Sequence, residues 1–391
     1  MKRIAILGST GSVGVNALEV VAAHPEAFEV STLACRSNVA LLTEQARRFH
    51  VPHVALFDEK GILELKRSLN SGTRIYAGAD GLREVVGFPE VDLVLVAIGG
   101  AQALQPTLEA IRRKKTVAIA NKECLVMAGD LLMEEVARSG ATVIPVDSEH
   151  NAIFQCLQGE DRGRLHKIYL TGSGGPLRTR PKESFGRLTQ EEVLAHPKWK
   201  MGKKISVDSA TLMNKALEVI EAHLLFGIET KAIEILIHPE AVIHSMVEWI
   251  DGSVIAHLAP PDMKLPIQYA FSYPARIEAA TPRLDFQKVG ALHFEPPDLD
   301  KFPCLKFGYW AAGQGGSAPC VLNAVNEEAV GAYLEGRLPF TRIPQLIESV
   351  LGRHRFRRVL TLAELLEEDS LARDEARRYM GTTNNQIPSS K

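Results

Sequence analysis

The chain has 391 residues, room for two or three domains of ~100–200 residues each. A hydrophobic fraction of 46% excludes a disordered chain, and a formal net charge of −2 gives no global attraction to nucleic acid or an anionic membrane. Five scattered cysteines, with no CxxC pair among them, fit a reducing compartment better than a disulfide framework or a cysteine zinc site.

The first element, Lys2-Arg3-Ile4-Ala5-Ile6-Leu7, reads as a strand entering a turn and not as a signal peptide. No apolar stretch reaches the ~20 residues that a spanning helix needs. Apolar runs at 4–7, 30–34, 54–57, 91–98, 117–120 and 142–146 alternate with helical patterns at 15–23, 40–49, 104–112 and 131–138. That alternation predicts βαβ units and a parallel sheet, with 91–98 as a strand covered on both faces. From 148 to 274 strands (167–170, 233–237, 253–259) mix with one long helix near 209–226 and dense Gly/Pro punctuation. A Pro-rich connector follows at 275–303, with a short strand at Leu284-Asp285-Phe286. Helical segments at 319–335, 343–351 and 361–379 predict a C-terminal bundle. The fold class is α/β: a Rossmann-like nucleotide domain over 1–147, an α+β catalytic domain over 148–274 with a flexible loop at 195–204, and a helical domain over 304–380 before a flexible tail at 381–391.

Gly8-Ser9-Thr10-Gly11-Ser12-Val13-Gly14 follows the first strand and opens a helix. Glycines there let the backbone turn and approach a pyrophosphate, which the free N–H groups of the helix start would hold. The alternative is a glycine turn with no phosphate to bind. The second strand ends in Cys35-Arg36-Ser37-Asn38, with no acid for a ribose 2′-hydroxyl, so Arg36 and Ser37 favour NADP over NAD. Lys122, in Asn121-Lys122-Glu123, sits at the end of the 117–120 strand. It is either a ligand-side or a surface lysine.

Asp147-Ser148-Glu149 stands at another strand end. Its two carboxylates suit a hard cation such as Mg²⁺ or Mn²⁺, or Asp147 merely caps a helix. Asn214, Lys215 and Glu218 fall within one ~100° helical sector, with Thr211 among them. That face either grips phosphate and completes a metal site, or is solvated. Thr171-Gly172-Ser173-Gly174-Gly175-Pro176 is a candidate phosphate nest or a plain tight turn. His196-Pro197-Lys198-Trp199-Lys200-Met201-Gly202 suits a closing lid, or a loop whose Trp packs on the body.

Together these motifs, with Ser206-Val207-Asp208-Ser209-Ala210-Thr211 and His238-Pro239-Glu240, closely resemble the 1-deoxy-D-xylulose 5-phosphate reductoisomerase family over nearly the whole chain. The resemblance implies an NADPH- and metal-dependent oxidoreductase of the non-mevalonate isoprenoid pathway. Its reaction would be a retro-aldol and aldol isomerisation followed by hydride transfer, giving 2-C-methyl-D-erythritol 4-phosphate. Thr10, Gly11, Ser12 and Val13 would hold pyrophosphate. Arg36, Ser37 and Asn38 would face the 2′-phosphate region, and Asn121, Glu123 and Gly202 would lie near NADPH. The family often has Gly-Lys-Asn in place of Arg36-Ser37-Asn38, so the basic residue here is shifted by one place. Asp147, Glu149 and Glu218 would bind Mg²⁺ or Mn²⁺. Lys122, Ser148, Ser173, His196, Ser209, Asn214 and Lys215 would bind a phosphorylated sugar, with Trp199 on the flap. A cytoplasmic homodimer inhibited by fosmidomycin, with no nucleic-acid or membrane partner, is the further expectation. The other readings are an aspartate-semialdehyde-type dehydrogenase, which needs a nucleophilic cysteine, and a non-enzymatic NADP sensor.

Overall fold

The computed structural model describes residues 1–69, 72–199, 201–358 and 361–384. Lys200 of the expected loop and residues 385–391 of the expected tail lie outside the described residues. The chain forms two compact units, each built from separate stretches. The first takes Met1–Cys124, Leu132–Gln158 and Asp262–Leu284; the second takes Leu125–Leu131, Gly159–Pro261 and Asp285–Lys391.

The first unit holds a seven-stranded parallel sheet. Its strands are β1 (Lys2–Leu7), β2 (Phe28–Cys35), β3 (His53–Leu56), β4 (Arg74–Ala77), β5 (Leu93–Val96), β6 (Thr116–Ile119) and β7 (Val143–Pro145). They pair in the order β4-β3-β2-β1-β5-β6-β7. Every residue of β5 is buried, as a continuous apolar run covered on both faces should be. β4 was not visible as an apolar run, because it is an edge strand with Arg74 and Ala77 exposed. The order reverses at β1, which pairs with both β2 and β5, so a crevice opens at the carboxyl ends of β1 and β5. The stretch Asp262–Leu284 is tied to this unit by chemistry at the first strand. Lys2 Nζ donates to the carbonyls of Phe271 (2.9 Å) and Tyr273 (2.7 Å), and Phe28 meets Phe271 edge-on at 5.7 Å. Burial lowers the Lys2 pKa, and those two carbonyls take up its donors.

The second unit holds a four-stranded sheet of β8 (Leu165–Gly172), β9 (Ile233–Ile237), β10 (Ile243–Trp249) and β11 (Val254–Leu258), ordered β11-β10-β8-β9. β8 and β9 are parallel, whereas β10 runs antiparallel to both β8 and β11. Helices Ala318–Leu334, Ile343–Leu351 and Leu362–Asn384 form the C-terminal helical region. Gly308 lets the helix Cys304–Gln314 lie on the helix Met213–Phe226, since a Cβ there would fall 2.2 Å from the Ala216 carbonyl oxygen.

Two local expectations are corrected. The helix near 209–226 is in fact two, Lys203–Ala210 and Met213–Phe226, because Leu212 takes a left-handed φ of 58° and breaks the hydrogen-bond ladder. Thr211 therefore ends the first helix and does not share the Asn214 face. Leu284-Asp285-Phe286 is not a strand, because Asp285 accepts from Gln287 N and caps the short helix Phe286–Val289.

Candidate active site

In the first unit, the glycines of the β1 turn have separate jobs. Gly8 has φ +95°, and a Cβ on it would lie 2.4 Å from Ala97 O, at the end of β5. A Cβ on Gly14 would lie 2.2 Å from Gly8 O, so Gly14 seats the helix Ser12–Ala23 on the turn. Gly11 is different: its Cβ would meet nothing closer than 3.4 Å, and its φ of −83° suits any residue. The fold does not need a glycine there; a close external ligand would. The helix that follows has no side-chain cap, and Thr10, Ser12 and Val13 are at least partly accessible. Ser9 Oγ is buried with no hydrogen-bond partner among the described residues. A bare, positively polarised helix start beside the β1–β5 crevice fits a pyrophosphate.

Arg36 and Ser37 are exposed at the carboxyl end of β2. Asn38 Oδ1 accepts from Leu41 N at 3.1 Å, so its side-chain carbonyl caps its own helix. Asn121 is likewise a cap: its Oδ1 accepts from Cys124 N at 2.6 Å, while its amide donates to Ile98 O. Lys122 thus opens the helix Lys122–Ser139, which begins earlier than the pattern at 131–138. Its Nζ lies 2.9 Å from Asp147 Oδ2, and its side chain is only 8% exposed, which removes the surface-lysine reading. Glu123 beside it is half-buried.

Asp147 caps the helix Ser148–Cys156 by accepting from Glu149 N at 3.2 Å. Capping and charge pairing are combined in this one carboxylate. Fully buried His150 places Nδ1 3.2 Å from Asp147 Oδ1. That partner was missed in the sequence, although the i, i+3 spacing on a helix was the available signal. Ser148 Oγ donates to Glu149 Oε2 at 2.5 Å.

In the second unit, β8 runs into the glycine loop. Gly174 (φ +82°) and Gly175 (φ +70°) are both at positive φ, where glycine is favoured, and turn the chain sharply after Ser173. Gly175 N donates to Ser173 Oγ at 3.3 Å. His196 Nε2 lies 3.1 Å from the same oxygen, while His196 Nδ1 accepts from Lys198 N (3.2 Å) and Trp199 N (2.9 Å). A neutral imidazole that accepts at Nδ1 carries its proton on Nε2 and donates it to Ser173. Ser173 Oγ then receives two donors, and its own proton is directed to a further acceptor such as a phosphate oxygen. Trp199 is half-buried, its ring 6.3 Å from that of His244.

Glu218 is buried, with Oε1 accepting from Asn214 Nδ2 and Oε2 from Lys215 Nζ, both at 2.6 Å. The Lys215 and Glu218 side chains are 7% and 1% exposed, so the face is not solvated. The Lys215 stem crosses Gly172, where a Cβ would come 2.6 Å from Cε. Gly175 makes room in the same way for the carbonyl of Ser209. Gly202 is exposed and opens the helix Lys203–Ala210 without a side-chain cap.

Family models described as 1-deoxy-D-xylulose 5-phosphate reductoisomerase, its C-terminal domain, and DXP reductoisomerase C-terminal domain match residues 4–129, 143–226 and 258–375. A curated 1-deoxy-D-xylulose 5-phosphate reductoisomerase of Thermodesulfovibrio yellowstonii is 47% identical over 97% of this chain and 100% of its own. The chain belongs to the 1-deoxy-D-xylulose 5-phosphate reductoisomerase family. Another curated reductoisomerase, from Aromatoleum aromaticum, is 48% identical over 96% of each chain. A solved reductoisomerase from Zymomonas mobilis, in complex with NADPH, is 40% identical with a TM-score of 0.91, over 97% of this chain and 99% of that one. A further solved reductoisomerase, in complex with NADPH, fosmidomycin and magnesium, is 37% identical with a TM-score of 0.92, over 98% of this chain and 99% of that one.

Proposed function

We propose that this chain is an NADPH- and divalent-metal-dependent enzyme that isomerises and reduces 1-deoxy-D-xylulose 5-phosphate to 2-C-methyl-D-erythritol 4-phosphate, a step of the non-mevalonate isoprenoid pathway. The observation that carries this reading is similarity along nearly the full length of both chains to reductoisomerases, one solved with NADPH, fosmidomycin and magnesium.

The residues present suit both groups. Gly11, with Thr10, Ser12 and Val13, is assigned to pyrophosphate, because the helix start there is uncapped and open to a close ligand. Arg36, Ser37 and Asn38 are assigned to the 2′-phosphate, and Asn121, Glu123 and Gly202 to the rest of the cofactor. Asp147, Glu149 and Glu218 offer oxygen donors only, which suits Mg²⁺ or Mn²⁺. When bound, NADPH supplies hydride and the divalent cation supplies Lewis-acid polarisation of adjacent substrate oxygens.

The chain's own side chains do the holding. Ser173, aimed by His196 and Gly175, donates to the substrate phosphate along with Ser209, Asn214 and Lys215. Lys122 and Ser148 orient the reacting end of the sugar. His196 links the phosphate side to Trp199 through the backbone of the flap, so closing over substrate and gripping its phosphate are one event that excludes water.

The competing readings lose support on physical grounds. All five cysteines are buried, and burial pushes the thiols of Cys35, Cys156 (up to about 11), Cys304 and Cys320 away from the thiolate form that a nucleophile needs. A cofactor sensor has no use for a buried carboxylate gripped by an amide and an ammonium. The proposal extends to a homodimer, because β11 is a sheet edge with Val254 and Ile255 exposed at 49% and 38%, and to a cytoplasmic location. Among the described residues no helix is long and apolar enough to cross a membrane.

The test is NADPH oxidation with 1-deoxy-D-xylulose 5-phosphate, with and without Mg²⁺ or Mn²⁺. Oxidation that needs both the sugar phosphate and the metal supports the reading. Oxidation independent of either, or none under any condition, rejects it.

A further inference from the structure

A cavity lies within the second unit, lined by residues that have no part in the site proposed above. It has a volume of about 420 Å³, within the usual size range of small-molecule pockets. Phe185, Phe302, Phe307 and Phe340 supply its apolar walls. Three of these rings pack together, Phe185 lying 5.9 Å from Phe302 and 5.8 Å from Phe340, so the wall is pre-formed.

The polar rim has one sign in excess. Lys182, Lys301 and Lys306 face Asp300 and Glu348. Lys306 is drawn to Asp300 at 3.8 Å. Lys301 and Lys182 make no ion pair among the described residues. Lys301 Nζ donates to Arg178 O at 2.8 Å and lies over the Phe302 ring at 5.2 Å and the Phe185 ring at 5.7 Å. One carbonyl uses one of its three N–H donors, and the two rings hold the ammonium in place. Burial lowers the Lys301 pKa and nearby Arg178 adds to that, together outweighing the opposite pull of the Asp298 and Glu183 carboxylates.

Two helix starts converge on the same cavity. The helix Cys304–Gln314 presents Pro303 and Cys304, and the helix Ile343–Leu351 presents Pro344 and Gln345. Neither has a side-chain cap hydrogen bond. Uncapped helix starts carry partial positive charge and favour an anion. At both starts 3₁₀ turns take up some of the first N–H groups, Leu305 N donating to Phe302 O and Ile343 N to Phe340 O, so the helix ends only add to what the aromatic walls and the two lysines outside ion-pair distance of a carboxylate supply.

We propose that this cavity binds a small anion with an apolar body, its hydrocarbon or aryl part against the phenylalanines and its phosphate or carboxylate head near Lys301 and Lys182. The site is separate from the substrate phosphate loop. Thr211 lines its inner end, at the joint between the two helices that carry Ser209 and Asn214.

The test uses phenyl phosphate as probe, titrated calorimetrically into the full chain saturated with NADPH, Mg²⁺ and fosmidomycin so that the catalytic phosphate site is filled. One further mole of probe should bind per mole of chain. Inorganic phosphate alone and benzyl alcohol alone should each bind at least about tenfold more weakly, since each lacks one half of the match. Lys301→Met should weaken the probe about tenfold or more. Lys182→Met, an exposed change that leaves the fold intact, should weaken it roughly threefold. Thr341→Trp, at the exposed rim, should plug the cavity and abolish binding. Probe binding unchanged in Lys182→Met and Thr341→Trp, or no binding to the saturated wild-type chain, overturns the proposal. Equal affinity for phenyl phosphate and inorganic phosphate overturns the apolar half of it.

Discussion

Two glycine-rich loops serve opposite purposes in this molecule. The 8–14 turn of the first unit is shaped by backbone: Gly8 and Gly14 sit against main-chain atoms, and Gly11 alone is spare. The 172–175 loop of the second unit is shaped by what crosses it, since Gly172 beds the Lys215 stem and Gly175 the Ser209 carbonyl. The first loop leaves a bare helix start, suited to an anion held by N–H groups. The second beds a side-chain stem at Gly172 and a backbone carbonyl at Gly175, suited to an anion held by an ammonium, an amide and a hydroxyl. Similar composition therefore does not mean a similar site. The side-chain carbon that a Cβ on Gly172 would meet tells them apart.

Substitutions can break this contrast. Gly14→Ala should cost about 3 kcal/mol or more of stability, because the added carbon meets backbone that cannot move aside. Gly11→Ala should change stability by less than about 1 kcal/mol, yet weaken NADPH clearly. Thermal melting with NADPH titration separates the two, and equal melting losses would erase the distinction drawn within the first loop. Glu218→Gln should cut metal-dependent turnover by about a hundredfold or more while leaving NADPH affinity within about twofold. Unchanged metal dependence would remove Glu218 from the site. Gly172→Ala meets the buried Lys215 stem, so it should raise the KM for the sugar phosphate about tenfold by displacing Lys215, with a smaller melting loss than Gly14→Ala. A matching rise in the KM for NADPH would mean that the two loops are not functionally distinct.

The smallest effect lies beneath the second loop. His238 N donates to Gly172 O at 2.7 Å, and Glu240 sits beside His238 and accepts from His293. Partial burial pushes the Glu240 carboxyl up, but the His293 ring and backbone donors and the nearby His238 outweigh it and hold the group down at about 2. A depressed carboxylate stabilises fully above its unfolded pKa and loses that contribution as pH falls through the folded value. Wild type should therefore out-melt Glu240→Gln by about 1 kcal/mol near neutrality, and the gap should close between about pH 4.5 and pH 2. A gap independent of pH would contradict the charge-based origin.

Legibility from sequence followed local pattern. Buried parallel strands such as β5 are continuous apolar runs, and the β1 turn announces itself by glycine spacing, so the first sheet was readable apart from its polar edge strand β4. The break at Leu212 was not, because nothing in Thr211-Leu212-Met213 forbids a helix; tertiary packing imposes the left-handed residue. The two-unit layout was equally hidden, since the link between Lys2 and Phe271 spans most of the chain. At the site, carboxylate and phosphate motifs could be picked out by residue type. Their partners could not: that Asn38 spends its carbonyl on its own helix, or that His196 fixes the proton on Ser173, depends on geometry that no spacing encodes.

The most direct test of catalysis is identification of the product. With NADPH, Mg²⁺ and 1-deoxy-D-xylulose 5-phosphate, the wild-type chain should yield 2-C-methyl-D-erythritol 4-phosphate, seen by NMR as a branched carbon skeleton, with one NADPH consumed per product. NADPH consumption that leaves the skeleton unbranched would contradict the account.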